Sequence, residues 1–492
     1  MFIFLSRYNS GAKIINLSIK PHIKVLIIIN FCVIVDSRHL FMHLSLQNLF
    51  ILFCISPSLH YLCNGRNIGL NMKQHKTLTL ILATAMLTGW TACEKEKFDQ
   101  DIYNQYVDYE FMIDNMDRTH DWKLTKSDEV TVLTSGYVLE VQVLTDNIYT
   151  SNTAEVAAQG VCYDNKATLG YSIPISQEQL YLGVIGMDGS YMGVVPFKYG
   201  TKTIDLTTST FQQGSQITNP TAQTFTYLFE DNFPEPGDFD YNDLVLRVSK
   251  GYDNVSYNIY LTVKVEAVGT AKQIAAAIHL GGVQYDDITQ VELVSNEKLD
   301  EGYPLPRNFI NSNELLLRGR NGEAVLNLFE DAHWSLLKNR DDNGSISRMR
   351  LNTSRDETEG FTAKANPQSV TYLISFKSRE KARSLTFDNI DPFILEEYNG
   401  SIWEIHTYYY KFNDVLKNIF RGNASLYDNH ISWCVTVPQS DFRYPVEGMS
   451  IGTYNSETEG VYGPYDGFAY WIQNHISNTD WYKHPTRPQL LY

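Results

Sequence analysis

Residues 227–248 read YLFEDNFPEPGDFDYNDLVLRV. Apolar residues at 227–229 and 244–248 flank a run of acids, so the stretch predicts a strand, an acidic loop and a second strand. In the loop Asp238, Asp240 and Asn242 occupy every second position, Asp243 follows directly, and Glu230 and Asp231 stand one short Pro-containing segment upstream. These are oxygen ligands of the kind a hard cation takes. Ca²⁺ gathers about six to eight oxygens, and a D-x-D-x-N run can fold three of them around one point. Gly237 allows the turn. The spacing is not that of an EF-hand: counting Asp238 as first, position twelve is Ser249 rather than a bidentate Glu, and no helix flanks the loop. The metal ligands predicted are therefore Glu230, Asp231, Asp238, Asp240, Asn242 and Asp243, with Ca²⁺ as the cofactor.

The same residues also fit an acidic β-turn whose Asp and Asn side chains bond their own backbone and start the strand at Leu244. Against this stands the charge. Six carboxylates lie between Glu230 and Asp243 with only Arg247 near in sequence, and a divalent ion would relieve their repulsion.

Outward from this loop the chain alternates at period two. Tyr137, Leu139, Val141 and Val143 form one face of a strand with Glu140 and Gln142 on the other. Tyr257, Ile259, Leu261, Val263 and Val265 form the inward face of a second, expected to pair with Leu244–Val248 through a turn at 251–254. Further strands are predicted at 160–163, 179–185, 191–197, 202–206, 324–328, 370–376, 431–437 and 449–454, with Met187–Ser190 as a hairpin turn and a short helix over 414–420. The fold class that follows is all-β: a β-sandwich over 129–212, a polar linker, and a second β-rich domain over 224–492.

The acidic stretch resembles the opening motif of the LruC-type domain family, a "FED…GDxDxND" signature of bacterial surface proteins. Trp403–Lys411 (WEIHTYYYK), Trp433–Pro438 (WCVTVP), Phe442–Glu447 (FRYPVE) and Asp480–Tyr482 (DWY) fall in the order of that family's later signatures. The resemblance spans roughly 224–492. It implies a β-rich extracellular domain, often on a lipid anchor, with no assigned molecular activity.

The amino-terminal region reads differently. Residues 1–92 hold eight Lys or Arg against one acid, Asp36, which leaves 32 basic and 55 acidic residues in the remainder. A surface that acidic repels nucleic acid and favours divalent cations. Residues 1–71 lack amphipathic period and a run long enough to span a membrane, and are expected to be a non-native upstream extension, with translation beginning at Met72. From there Lys73 and Lys76, the apolar Leu78–Leu87 and the small residues before Cys93 form a lipoprotein signal peptide over 72–92. Cys93 is the predicted lipidation site, although Trp90 stands where the pattern usually has Leu or Val; two or three acyl chains would hold the protein on a membrane. A tether follows over 93–128, and its Glu94-Lys95-Glu96-Lys97 run resembles those of lipoproteins exported to the outer face of the outer membrane. Cys162 and Cys434 then remain, too few for a disulfide framework.

Catalytic signals are weak. Gly448-Met449-Ser450-Ile451-Gly452 matches G-x-S-x-G but continues as strand and loop, whereas a nucleophile elbow needs a helix. No His after Cys93 stands in a zinc-binding spacing, and His406 reads as structural. Trp403, Tyr408–Tyr410, Tyr470, Trp471, Trp481 and Tyr482 could form a sugar-binding platform or fill a core. The second FED triplet, Phe329–Asp331, lacks the D-x-D-x-N tail and reads as coincidence. The function expected is binding or adhesion without catalysis, toward a glycan or a surface protein; the alternatives are a subunit of a surface fibre and a glycan-active protein.

Overall fold

The computed structural model describes residues 116–492 apart from 118, 234–236, 254–256, 295–296, 338–347, 359–360, 399, 411–414, 418–431 and 456–459, and before residue 56 the backbone of six short strands. The chain divides into two units, 1–97 and 98–492. Cys93 with its leader and most of the helix expected at 414–420 lie outside the described residues.

In chain order the larger unit contains β1 (Thr125–Leu133), β2 (Val138–Leu144), β3 (Glu155–Val161), β4 (Lys166–Pro174), β5 (Gln179–Gly186), β6 (Tyr191–Lys198) and β7 (Thr203–Asp205). There follow β8 (Thr221–Phe229), β9 (Leu244–Tyr252), β10 (Asn258–Ala267), β11 (Ala275–Gln284), β12 (Ile288–Leu293), β13 (Leu316–Arg318) and β14 (Glu323–Phe329). The last are α1 (Ala332–Leu337), β15 (Gln368–Phe376), α2 (Arg379–Arg383), β16 (Ile390–Tyr398), β17 (Ser401–Ile405), β18 (Cys434–Val437) and α3 (Asp466–Gln473).

The fold is all-β. One ten-stranded sheet runs in the order β6-β5-β2-β3-β8-β9-β10-β15-β12, with β18 also on β8. A five-stranded sheet, β13-β14-β11-β16-β17, packs on its carboxyl-terminal half, burying Leu228, Val263 and Tyr372 with Ile278, Leu326 and Ile394. A three-stranded sheet, β4-β1-β7, covers the amino-terminal half around Val141, Leu169 and Leu182. Two cores thus share one sheet. The join is at β8, which gives one edge to β9 and divides the other between β18, antiparallel, and β3, parallel at Thr221 and Ala222. The segment expected as a linker, 213–223, therefore ends inside the sheet.

Period two is kept in β10, where Ile259, Leu261, Val263, Val265 and Ala267 are buried. β10 pairs with β9 as expected, Val265 opposite Leu246. β2 departs from expectation. Glu140 and Gln142 are buried because the second face is covered too, with Gln142 bonded to Gln159 at 3.1 Å and to the Tyr191 hydroxyl at 2.5 Å. Tyr137 and Tyr257, expected inside, are exposed at the strand ends. The strand expected at 449–454 starts only at Thr453, and the tether ends earlier than 128, since His120, Trp122 and Leu124 are already in the core. Cys162 and Cys434 are both free thiols.

Two buried polar features make the fold sensitive to pH. Lys250 in β9 has its ammonium beside the Leu385 carbonyl at 3.1 Å and the rings of Tyr252 and Phe387. Burial pushes its pKa down to about 7. The folded state binds fewer protons there than the unfolded chain between about pH 7 and the ordinary lysine value, so stability rises with pH across that window. Lys250→Met should raise the melting temperature most below pH 7 and lose that advantage as the pH approaches 10.5, read by thermal denaturation.

The second feature is an alternating chain, Glu323–His279–Asp391–His406–Glu404, that ties β14, β11, β16 and β17 together. Its contacts are 2.9, 3.2, 2.7 and 3.1 Å. Both ring nitrogens of His406 face carboxylates, so the imidazolium is the form that fits. Burial pulls His406 down, and Asp391 and Glu404 outweigh it, pushing the pKa up to about 9. A raised folded pKa stabilises below the unfolded value of 6.5 and is lost as pH climbs through 9. His406→Gln should therefore destabilise most below pH 6.5 and least above 9.

Candidate metal centre

The paired strands β8 and β9 close at Phe229 opposite Leu244 and leave residues 230–243 as the connection. That is far longer than a two-to-five-residue hairpin loop, and loops of such length usually carry function. Aromatic residues alternating with the acids hold it down. Phe239 and Tyr241 are buried in the main core, with the Tyr241 hydroxyl on the Ser432 carbonyl at 2.8 Å. Both take left-handed backbone, φ 56° and 51°, which costs on the order of 1–3 kcal/mol per non-glycine residue. Strain of this kind persists only where the surroundings impose it.

The alternation that buries the rings gathers the acids between them. Glu230, Asp238 and Asp240 each bring a carboxylate oxygen within 4.8 Å of the others. Glu230 Oε1 accepts from the Tyr241 N–H at 2.6 Å, while Oε2 is buried with no hydrogen-bond partner among the described residues. Asp240 accepts from the Asn242 and Gly448 N–H groups at 3.0 and 2.7 Å. Burial pushes Glu230 well above the usual carboxylate range, and the charges of Asp240 and Asp238 push it further. Asp240 is raised by burial, then by Asp238 and Glu447; Asp238, itself exposed at the rim, is raised by its partly desolvated setting against the pull of Arg350.

The other three predicted residues sit differently. Asp231 faces Lys272 at 3.2 Å, and its N–H donates to Asp243 Oδ2 at 2.8 Å. Asp243 is raised by burial and by the charges of Asp231 and Glu230. Asn242 donates to the Pro445 carbonyl at 3.2 Å, and its Oδ1, also without a partner, lies against Gly269. The carboxylate trio is thus the centre, with Asp231 and Asp243 beside it and Asn242 fastening the loop to the segment around Pro445.

Several participants went unmarked in the sequence reading. Glu447 lies over the loop, bridged to Arg350 at 2.7 Å and raised by burial to about 7. The G-x-S-x-G segment backs the acids: Gly448 donates to Asp240, and the Ile451 N–H donates to the Phe239 carbonyl at 2.8 Å. Ser450 is buried, and among the described residues its hydroxyl has no hydrogen-bond partner. Lys272 links Asp231 to the buried Glu396 at 3.2 Å each. Phe442–Glu447 was conspicuous as a signature, but nothing in its composition marked it as facing the loop.

The second FED triplet is an internal control. It too follows directly on a strand, β14, and its Glu330 is as buried as Glu230. Both Glu330 oxygens are met, by the Phe309 and Ile310 N–H groups at 2.5 and 3.1 Å, and Asp331 pairs with Arg348 at 2.6 Å. The protein neutralises one corner with its own donors and leaves the other with carboxylate oxygens facing each other. Gly237 is what permits this: a Cβ there would lie 1.9 Å from Glu230 Oε2.

An all-β protein with a strand-connecting acidic centre is the class these features define. A family described as a domain of unknown function (DUF4842) matches residues 254–482, beginning after the acidic loop. This match does not carry the LruC-type name. No curated protein matches the chain. Among solved structures, a crystal structure of a protein from Bacteroides ovatus described as a candidate lipoprotein is similar, with 16% identity, a TM-score of 0.41, and coverage of 72% of this chain and 99% of that one. No helix among the described residues is long and apolar enough to cross a membrane.

Gly237→Ala should cost about 1–3 kcal/mol of stability through the clash with Glu230, measured by denaturant unfolding. Gly251→Ala, whose Cβ would meet Tyr260 at an ordinary 3.5 Å, is the matched control.

Proposed function

We propose that this chain is a lipid-anchored, surface-exposed binding protein of the outer membrane whose β-rich domain, of the LruC type by its motifs, is rigidified by Ca²⁺. Glu230, Asp238 and Asp240 would hold the ion, and Asp231 and Asp243 stand close enough in the chain to contribute. The observation that carries the reading is Glu230 Oε2: a buried carboxylate oxygen without a donor, beside two more carboxylates, where the comparable Glu330 has both oxygens satisfied. An ion bound there would add to the positive charge that Lys272 brings to Asp231 and Arg350 to Glu447. The hard oxygen donors suit Ca²⁺, with water or backbone carbonyls making up its coordination.

The role of the ion is architectural. By neutralising the loop it would fix residues 230–243 to the segment around Gly448, and so β8 and β9 to the carboxyl-terminal region. Outside a cell, where calcium is plentiful, the domain would be held in its binding-competent form.

The carboxyl-terminal aromatic platform has less support. Trp471, Trp481 and Tyr482 are buried, and Trp481 stacks edge-on with Phe442, Tyr465 and Phe468. Tyr409 and Tyr470 alone of that set are well exposed.

Calcium should raise the melting temperature and a chelator lower it, with Mg²⁺ far weaker. Asp240→Asn should abolish the calcium response; because the Asn242 and Gly448 N–H groups each bond a different Asp240 oxygen, the amide leaves one of them unmet and the chelated variant should melt below chelated wild type, so the readout is the calcium-induced shift within each protein. Identical melting curves with calcium and with chelator would end the metal reading.

A further inference from the structure

A cleft of about 360 Å³ lies away from the acidic centre, between the β3–β4 turn and α2. The turn is tight. Asp164 and Asn165 both have left-handed backbone, and Tyr163 and Lys166 exchange two hydrogen bonds of 2.9 Å, the geometry of a two-residue type I′ hairpin. Directly opposed residues in such a hairpin raise their side chains on one face, which sets Tyr163 and Lys166 together on the cleft wall.

The facing wall is equally fixed. α2 is anchored by buried Ala382, with Leu385 just beyond it, and its Arg383 carbonyl would lie 2.8 Å from a Cβ at Gly170, so only glycine lets the helix sit this close to β4. Arg379 and Arg383, one helical turn apart, both reach the cleft. The Arg379 guanidinium lies over the Tyr163 ring at 3.1 Å from its centroid. Arg383 has only a loose contact of 3.6 Å with Glu129. Among the described residues Arg379 and Lys166 have no acid within ion-pair distance. Asp164 and Glu380 also line the cleft; Glu380 is held below the usual range chiefly by hydrogen bonds from its own backbone and Ser378, and further by the charges of Arg383 and Arg379.

Like charges a helical turn apart destabilise a helix unless something negative lies between them. Here two guanidiniums and an amine outnumber the cleft acids Asp164 and Glu380 in a chain whose formal net charge is −16. Planar guanidinium forks match carboxylate and sulfate oxygens. The exposed part of Tyr163, with Gln159 and Thr168 also lining the cleft, adds apolar surface and hydrogen-bonding partners of the kind a pyranose uses.

We propose that this cleft binds an acidic saccharide, with the carboxylate or sulfate of one sugar residue held between Arg379, Arg383 and Lys166 and the sugar ring beside the part of Tyr163 that Arg379 leaves exposed. The site is independent of the metal centre, and its occupancy does not require calcium.

The test is titration of the full chain with four polymers: a sulfated glycosaminoglycan (heparin oligosaccharide), an unsulfated polyuronate, neutral dextran and polyglutamate. Binding of either acidic saccharide, weakened by salt and reduced by roughly tenfold or more in Arg379→Ala/Arg383→Ala, supports the proposal, and the first two arms distinguish sulfate from carboxylate. Arg318→Ala, an exposed arginine elsewhere, should change nothing, and matched melting curves show that the double variant folds. Failure of both acidic saccharides to bind, equal binding by the double variant, or polyglutamate binding as tightly as the sugars would overturn it.

Discussion

The carboxylate of Glu230 is the constraint on which the acidic loop depends. It is removed from water, and Asp238 and Asp240 reach within 4.8 Å of it. At an effective dielectric of about 20, unit charges that close repel by about 3 kcal/mol or more. The loop does not escape by opening, because Phe239 and Tyr241 are sunk in the core on alternate positions and hold the acids between them. The packing that stabilises the fold is thus the same packing that concentrates negative charge. Relief comes either from protons, which the raised carboxyl pKa values favour, or from a cation. The corner at Glu330 shows that the chain can satisfy a buried glutamate with its own N–H groups when a neighbouring segment is turned toward it.

Around this loop the architecture is more continuous than a pair of separate sandwiches. β8 carries the acidic loop at one end and at the other meets β3 of the amino-terminal half. The gap between the cores is crossed by side chains as well: Gln223 donates to the Ser172 carbonyl at 2.9 Å, and the Tyr252 hydroxyl to the Ala157 carbonyl at 2.9 Å. Lys250 and Gly170 lie along the same seam, where α2 closes down on β4. The anion-binding cleft proposed above opens on this seam, so its two walls belong to different cores but to one framework.

Much of this was legible in the order of residues. Period-two alternation located β10 and its pairing with β9, because one face of that pair is buried and the pattern has a single meaning. The acids at 238 and 240 stood out by their alternate spacing, but the bend that sets them beside Glu230 runs through left-handed Phe239 and Tyr241, and no local pattern announces it. The failures have physical causes. β2 carries polar residues on a face that is buried, and only the partners Gln159 and Tyr191, far away in sequence, make that tolerable. β11 is fully buried over Ala275–Leu280 and carries no alternation to read. Glu447, Gly448, Lys272 and Gly269 reach the centre from remote segments, and no local pattern marks a residue whose role is defined by a distant neighbour. Gly237 was assigned to the turn, whereas its necessity is the space that a buried carboxylate occupies.

The first described residues of the larger unit are not a loose lead-in. The Asp117 N–H donates to the Ile472 carbonyl at 3.0 Å, His120 contacts the Trp471 carbonyl at 3.1 Å, and the Trp122 ring meets that of Trp471 edge-on. The two ends of the folded body are therefore buckled to each other. A tug on the leading end would be borne at once by the trailing helix, so the load enters the molecule through interlocked indoles and spares the strands from being peeled away one at a time.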